Sequence, residues 1–394
     1  MSGSNETTLP PVDWTQREDL AVLVAALGAQ NVRWVGGAVR DTLLGKGAQD
    51  IDAATKLPPD EVIARCDAAG IRTVPTGIDH GTVTAVLPDG HLEITTLRKD
   101  VATDGRRATV AFAEDWRDDA ARRDFTINAL YAHPETLAID DFFGGLDDLA
   151  ASRVRFIGDA RERIREDHLR ILRYYRFQAR FGSDLDTEAE AACEVLAPIM
   201  KGLSRERVGW ELQNLLAVAD PVATMRRMHT GGVLGVVLPE VGADGLDRLE
   251  ALVAAEARAG LPPSPIRRVA AILPADPKIV DTVAARLRLS NVQRKRLSLA
   301  AKREGAPDDA KAMAFRLGRE AAMDRLLLAG EDPSPLSGWE IPELPLKGGE
   351  IVARGVAAGP EVARILQAVE ARWVAEGFPD AARVAALLDE ELAR

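Results

Sequence analysis

At 394 residues the chain is too long for one ordinary core, and size scaling predicts about two to four packing units. Its composition, 46% hydrophobic and 28% charged, excludes global disorder, because there is enough apolar surface to offset the entropy lost on ordering. A formal net charge of −11 excludes indiscriminate nucleic-acid binding, which needs clustered cations. Two cysteines, Cys66 and Cys193, exclude a disulfide framework and a cysteine-rich zinc site, and read as small buried hydrophobes.

The opening residues MSGSNETTLPPVDWTQREDL are polar and lack the basic start and apolar stretch of a secretory signal. No apolar run approaches the ~20 residues that span a bilayer. The expectation is a cytoplasmic chain without membrane contact. Asp19 to Gln30 reads as a helix, followed by the short apolar run VRWVGGAV. GTVTAVL and HLEITTLR, separated by Pro88, Asp89 and Gly90, read as a hairpin. Residues 1–150 are therefore expected to be α+β with a mixed sheet. Beyond Asp148 the pattern turns helical, punctuated by proline and glycine. Four segments are expected, 1–150, 151–220, 221–330 and 331–394. EDPSPLSGWEIPELP from Glu331 serves as a linker ahead of a closing helical pair.

The chemistry concentrates in GGAVRDTLLGKGAQDIDAAT, Gly36 to Thr55. On a strand, the period of two sets Asp50 and Asp52 on one face and Ile51 on the other. Two such carboxylates can clamp a pair of Mg²⁺ ions about 4 Å apart, the arrangement of two-metal phosphoryl transfer. Gly36 and Gly37 follow a strand and precede a helix, so their backbone N–H groups could approach a triphosphate, with Arg40 adding charge. A Gly-Gly turn or an Asp-x-Asp pair alone also describes ordinary surface structure, and it is their order that points to chemistry. Glu93, between apolar Leu92 and Ile94, either joins the aspartates as a supporting carboxylate or is an exposed polar strand position.

Further along, RRDFTINAL carries Arg122, Arg123, Asp124 and Asn128 among apolar anchors. Arginines match phosphate oxygens, and a carboxylate or amide can meet a ribose hydroxyl. From Arg153 to Arg180 the acidic chain holds nine arginines, including Arg161, Arg163 and Arg165. The stretch is expected to face the RNA or a nucleotide cleft, with Arg161, Arg163 and Arg165 binding RNA, and solvated helix faces bearing ion pairs are the alternative. Asp167 and Arg170, at i,i+3 on one helix, present acceptors and donors that can imitate a Watson–Crick edge without a template. Spacing alone also allows an intrahelical ion pair.

In this order the motifs resemble the class II tRNA nucleotidyltransferases (CCA-adding enzymes) and bacterial poly(A) polymerases. The resemblance rests on Gly36 to Thr55, TGIDHGTVTAV, RRDFTINAL, DFFGGLDDL, REDHLRILR and SRERVGWELQNLL, covering about residues 30–215. It implies an α+β catalytic head of the β-polymerase-like nucleotidyltransferase type, followed by an all-α neck, body and tail. It further implies catalysis at Asp50, Asp52 and Glu93, and ribose and triphosphate contacts in RRDFTINAL. Selection of CTP or ATP falls to Glu166, Asp167 and Arg170. In SRERVGWELQNLL, Arg207 is expected to face Glu211 at i,i+4 and the element to buttress the base-selecting helix. The implied reaction is template-independent addition or repair of the tRNA CCA end, with Mg²⁺ as cofactor and tRNA, CTP and ATP as partners; no protein partner is inferable. Rival readings are a poly(A) polymerase, an A-only or CC-only enzyme, and a relative that binds RNA or nucleotide without catalysis.

Overall fold

Val32, Trp34 and Val35 are buried, and this apolar run forms β1 (Val32–Val35) at the heart of a seven-stranded sheet. The computed structural model describes residues 7–48, 50–104, 107–182, 184–303 and 309–394. The remaining strands of the main sheet are β2 (Asp52–Thr55), β3 (Arg72–Gly77), β4 (Thr82–Leu87), β5 (Gly90–Thr96), β8 (Leu130–Ala132) and β9 (Ile139–Asp141), in the order β3-β4-β5-β2-β1-β8-β9. β2 and β5 run parallel and the other neighbours antiparallel. A separate ribbon pairs β6 (Arg98–Asp104) with β7 (Arg107–Phe112). The hairpin expected at Pro88–Gly90 is β4–β5, with Leu87 opposite Gly90.

Two compact units divide the chain: Met1–Glu211 with Thr230–Val237, and Leu212–His229 with Leu238–Arg394. In the first unit, helix α1 (Glu18–Leu27) stops three residues short of the sequence expectation. Gly28 takes φ +87° there, a conformation that ends a helix and that a side chain would oppose. Helices α2 (Gly37–Leu43), α3 (Pro59–Ala68), α4 (Trp116–Ala121) and α5 (Gly145–Ala150) complete the α+β part. Trp116, Ala120 and Tyr131 close a core cluster with Val35 and Ala54 of the sheet. The helices α6 (Ala160–Glu166), α7 (Arg170–Phe181), α8 (Thr187–Leu196) and α9 (Arg205–Leu216) follow. Phe125 meets Phe156 and Phe177 at ring separations of 4.9 and 5.3 Å, which packs α7 onto the segment before β8.

The second unit is helical. Glu256 on the helix Ala243–Arg258 is buried and accepts hydrogen bonds from Arg267 and Arg268 at 2.8 Å each. Arg267 and Arg296 also reach the fully buried Asp324. Segment 331–345 lies inside this unit: Leu336 is buried, and Trp339 packs on Phe378 at 5.5 Å.

Candidate active site

β1 hands the chain to α2 through Gly36, whose φ of +73° a Cβ would strain. An added Cβ would stand 3.7 Å from the Arg123 guanidinium and 4.0 Å from the Asp52 carboxylate, so the turn, the cation and the acid share one small space. They line an open cleft of ≈690 Å³ in the first unit, a size that suits a nucleotide.

Asp52 opens β2 and is paired in register with Glu93 of β5. Leu92 and Ile94 are buried while Glu93 is exposed to the cleft, so the strand alternation places it beside Asp52. Asp50 also lines the cleft but lies outside the strand. The expectation that one strand carries both aspartates is thus corrected, because β2 pairing begins at Asp52 opposite Val35 and Asp50 lies in a bend before it. Burial raises the Asp52 carboxyl above its usual range, Glu93 and Asp50 add to this, and Arg123 opposes it. Crowded carboxylate oxygens of this kind are hard donors whose repulsion a divalent cation relieves. Among the described residues no three His, Cys, Asp or Glu side chains converge into a ready cage.

The wall opposite the acids is built from RRDFTINAL and α7. Arg123 donates to the Tyr131 hydroxyl at 2.9 Å and to Asp119 at 3.3 Å, and Tyr131 donates to Asp119 at 2.7 Å. Burial pushes the Tyr131 phenol up, so it stays a neutral donor. Asp124 accepts from Arg173 at 2.6 Å, from the Asn128 amide at 3.0 Å and from the Phe125 N–H at 2.9 Å. Burial works to raise its carboxyl, but Arg173 and these hydrogen bonds outweigh it, and the carboxyl sits below its usual range. Asn128 in turn accepts from Arg40 at 2.5 Å. Arg40 is buried between Asp41, at 2.9 Å, and the rings of Phe177 and Phe181.

Asp167 and Arg170 both line the cleft but do not share a helix. α6 ends at Glu166, Asp167 is extended at φ −146°, and α7 begins at Arg170. The break has a local cause: the Asp167 side chain accepts from the Leu169 N–H at 3.1 Å and competes with the helical pattern. Arg170 donates to Glu166 at 2.7 Å, to the Arg163 carbonyl at 3.0 Å and to the Arg122 carbonyl at 2.9 Å. The intrahelical Asp167–Arg170 pair therefore gives way to two other pairs, and Asp167 accepts from Arg207 of α9 at 2.7 Å.

Of the sequence-predicted residues, Gly36, Gly37, Arg40, Asp50, Asp52, Glu93, Arg122, Arg123, Asp124, Asn128, Asp167 and Arg170 come together in the cleft. Glu166 stands behind Arg170. The trio Arg161, Arg163 and Arg165 lies on α6 outside the lining, with Arg161 and Arg165 exposed. Arg163 is not presented for phosphate, because it pairs with Glu166 and donates to the Ala121 carbonyl. Arg207 does not face Glu211 as expected, since Glu211 is buried and accepts from Arg176 at 2.6 Å. Arg173, Arg176 and Arg180 of the arginine-rich stretch line the cleft, whereas sequence reasoning missed Asp119, its partner Tyr131, and the cleft faces of Phe177 and Trp210. The helical spacing of Arg173, Arg176 and Arg180 was the available signal for that face of α7.

Against known proteins, residues 32–155 match the family model described as "Poly A polymerase head domain". Residues 182–244 match "Probable RNA and SrmB- binding site of polymerase A". The mouse protein named CCA tRNA nucleotidyltransferase 1, mitochondrial, is 33% identical over 393 residues, covering 92% of this chain and 87% of its own. The human protein of the same name is 35% identical over 372 residues, covering 88% and 83%. A crystal structure of the Bacillus stearothermophilus CCA-adding enzyme in complex with CTP superimposes with a TM-score of 0.73 at 25% identity, covering 96% of this chain and 99% of that one. The Thermotoga maritima CCA-adding enzyme complexed with tRNA shares the fold at a TM-score of 0.67, 22% identity and coverages of 95% and 94%. No helix of the described residues is long and apolar enough to cross a membrane. A polymerase-β-like head carrying this cleft, helical regions following it in the sequence and relatedness along most of its length place the chain in the CCA tRNA nucleotidyltransferase family of enzymes.

Proposed function

We propose that this chain builds or repairs the 3′-terminal CCA of tRNA from CTP and ATP without a nucleic-acid template. The observation that supports this most is the meeting, in one cleft, of the Asp52–Glu93 pair, the Gly36 turn and the Asp167–Arg170 element. The RNA 3′ hydroxyl loses its proton to solvent as its oxygen forms a bond to the α-phosphorus, the bond from that phosphorus to the bridging oxygen breaks, and pyrophosphate leaves. Asp50 and Asp52 would hold Mg²⁺, which when bound would supply Lewis acidity and neutralise charge at the reacting phosphate. Glu93, in register with Asp52, would add carboxylate oxygens beside the same cation. The Gly36 and Gly37 backbone and the Arg122 and Arg123 guanidinium groups take the triphosphate, and Arg40 holds this wall in place through Asn128. Asp124 and Asn128, locked to each other, face the ribose.

Base choice lies with Asp167 and Arg170, the carboxylate offering acceptors and the guanidinium donors. Arg170 is held by Glu166 and two carbonyls, so its orientation is set before the base arrives. Exposed Arg161 and Arg165 meet the RNA backbone. The test is to give the purified protein a tRNA lacking CCA, with CTP and ATP separately and together, and to sequence the products. Complete CCA with both nucleotides, and CC with CTP alone, is the expected result. Long A-tails, or no incorporation, would overturn the proposal, and a product limited to A or to CC would narrow it.

A further inference from the structure

Trp210 of α9 lines the cleft with 58% of its surface exposed. The Arg176 guanidinium lies 5.8 Å from its ring centroid and 4.4 Å from that of Phe177. Phe177 stacks on Phe181 at 5.9 Å with the planes 14° apart, and Arg40 covers both rings. Arg176 is itself pinned by buried Glu211. Rings and guanidinium groups thus run from the packed interior of the wall out to an indole in solvent. A large apolar face in a cleft otherwise lined by Arg173, Arg180 and other charges suits a ligand with a π-face and an anionic backbone, which is a nucleotide of single-stranded RNA.

Two bases meet in the proposed reaction, the incoming one and the one at the RNA end. Arg207, one turn before Trp210 on α9, is tied to Asp167 at 2.7 Å, and positions i and i+3 are neighbours on a helix face. Trp210 therefore stands on the same helix face as the partner of Asp167 and lines the same cleft as Asp167 and Arg170. We propose that Trp210, backed by Arg176, is a stacking shelf for the 3′-terminal base of the RNA being extended. The proposal rests on the reading that the chain extends RNA. A stacking shelf tolerates any base, and the terminal base changes with each nucleotide added.

The test uses the full chain and a tRNA lacking CCA with 2-aminopurine as its 3′-terminal residue. Wild-type protein should change the fluorophore's emission on binding, and Trp210→Ala should abolish that change while weakening tRNA affinity roughly 5- to 150-fold. Trp210→Phe, which keeps an aromatic face, should retain most of both. Replacing the terminal residue by an abasic one should weaken wild-type binding and leave Trp210→Ala binding unmoved, which a merely structural role would not produce. A raised KM for CTP with unchanged tRNA affinity in Trp210→Ala would overturn the shelf and assign the indole to the incoming base. An unchanged signal and affinity would overturn it outright. If wild-type protein extends the RNA and either result appears, the shelf fails alone; if wild-type protein incorporates nothing, the functional reading fails and the shelf with it.

Discussion

The Asp167 carboxylate accepts a hydrogen bond from Arg207, 40 residues further along the chain, at 2.7 Å, while Arg170 gives its guanidinium to Glu166. The two groups, for which spacing alone also allowed an ion pair, are thus held by separate partners, and both line the cleft. Held apart, they can offer donor and acceptor to a base. Asp167→Ala should therefore relax selection toward GTP or UTP, losing about 1–3 kcal/mol of discrimination. Arg207→Ala should do the same to a smaller extent by releasing the carboxylate. Incorporation assays with all four nucleotides decide the matter. Variants that are slower but still reject GTP and UTP would assign Asp167 and Arg207 a structural role.

Arg161 and Arg165 are exposed on α6, whereas Arg163 is spent on Glu166 and the Ala121 carbonyl. The double variant Arg161→Ala/Arg165→Ala should weaken tRNA binding and flatten the slope of log affinity against log salt by about 1.5, the value for two lost phosphate contacts. An unchanged slope would return both arginines to the solvent.

Glu256 separates Arg267 and Arg268, and all three side chains are buried. Glu256→Ala leaves two guanidinium charges short of their shared acceptor, and removing one partner of a buried ion pair costs about 3–5 kcal/mol. Denaturant unfolding should show that loss. A change below about 1 kcal/mol would mean that the backbone carbonyls around Arg268 suffice to hold it.

Burial pushes the Cys66 thiol up to about 11, with Asp67 adding to it, and pushes Cys193 well above its ordinary value. At pH 8 only about one Cys66 in a thousand is thiolate. Thiol reagents should leave the native protein unlabelled and modify both cysteines on denaturation. Rapid labelling of either in the native state would contradict the packing around it.

What the sequence made legible was local and periodic. Leu92–Glu93–Ile94 alternates, and the structure turns Glu93 outward from the sheet as the pattern requires. The turn residues between β4 and β5 marked their hairpin correctly. Expectations failed where a distant partner or a short-range side-chain bond overrode the period. β2 begins at Asp52 because pairing with Val35 begins there. Asp167 interrupts a helix by capturing the Leu169 N–H. Glu211 turns to Arg176 on another helix instead of to Arg207 on its own. Asp119 and Arg123 stand at i,i+4, a spacing the sequence offered, but Tyr131 joins them across the turn into β8 and Trp210 meets Arg176 from another helix, which no helical spacing announces.

The central claim is that the carboxylates at the start of β2 carry nucleotidyl transfer. Its most direct measurement is the single-turnover rate of CMP incorporation into tRNA lacking CCA by wild-type, Asp50→Ala and Asp52→Ala proteins of equal fold and tRNA affinity. If each variant removes one cation ligand from an otherwise intact cleft, the rate should fall by about three orders of magnitude or more, roughly 4 kcal/mol of barrier. Retention of about a tenth of the wild-type rate by either variant, a loss of only ~1.4 kcal/mol, would contradict the account.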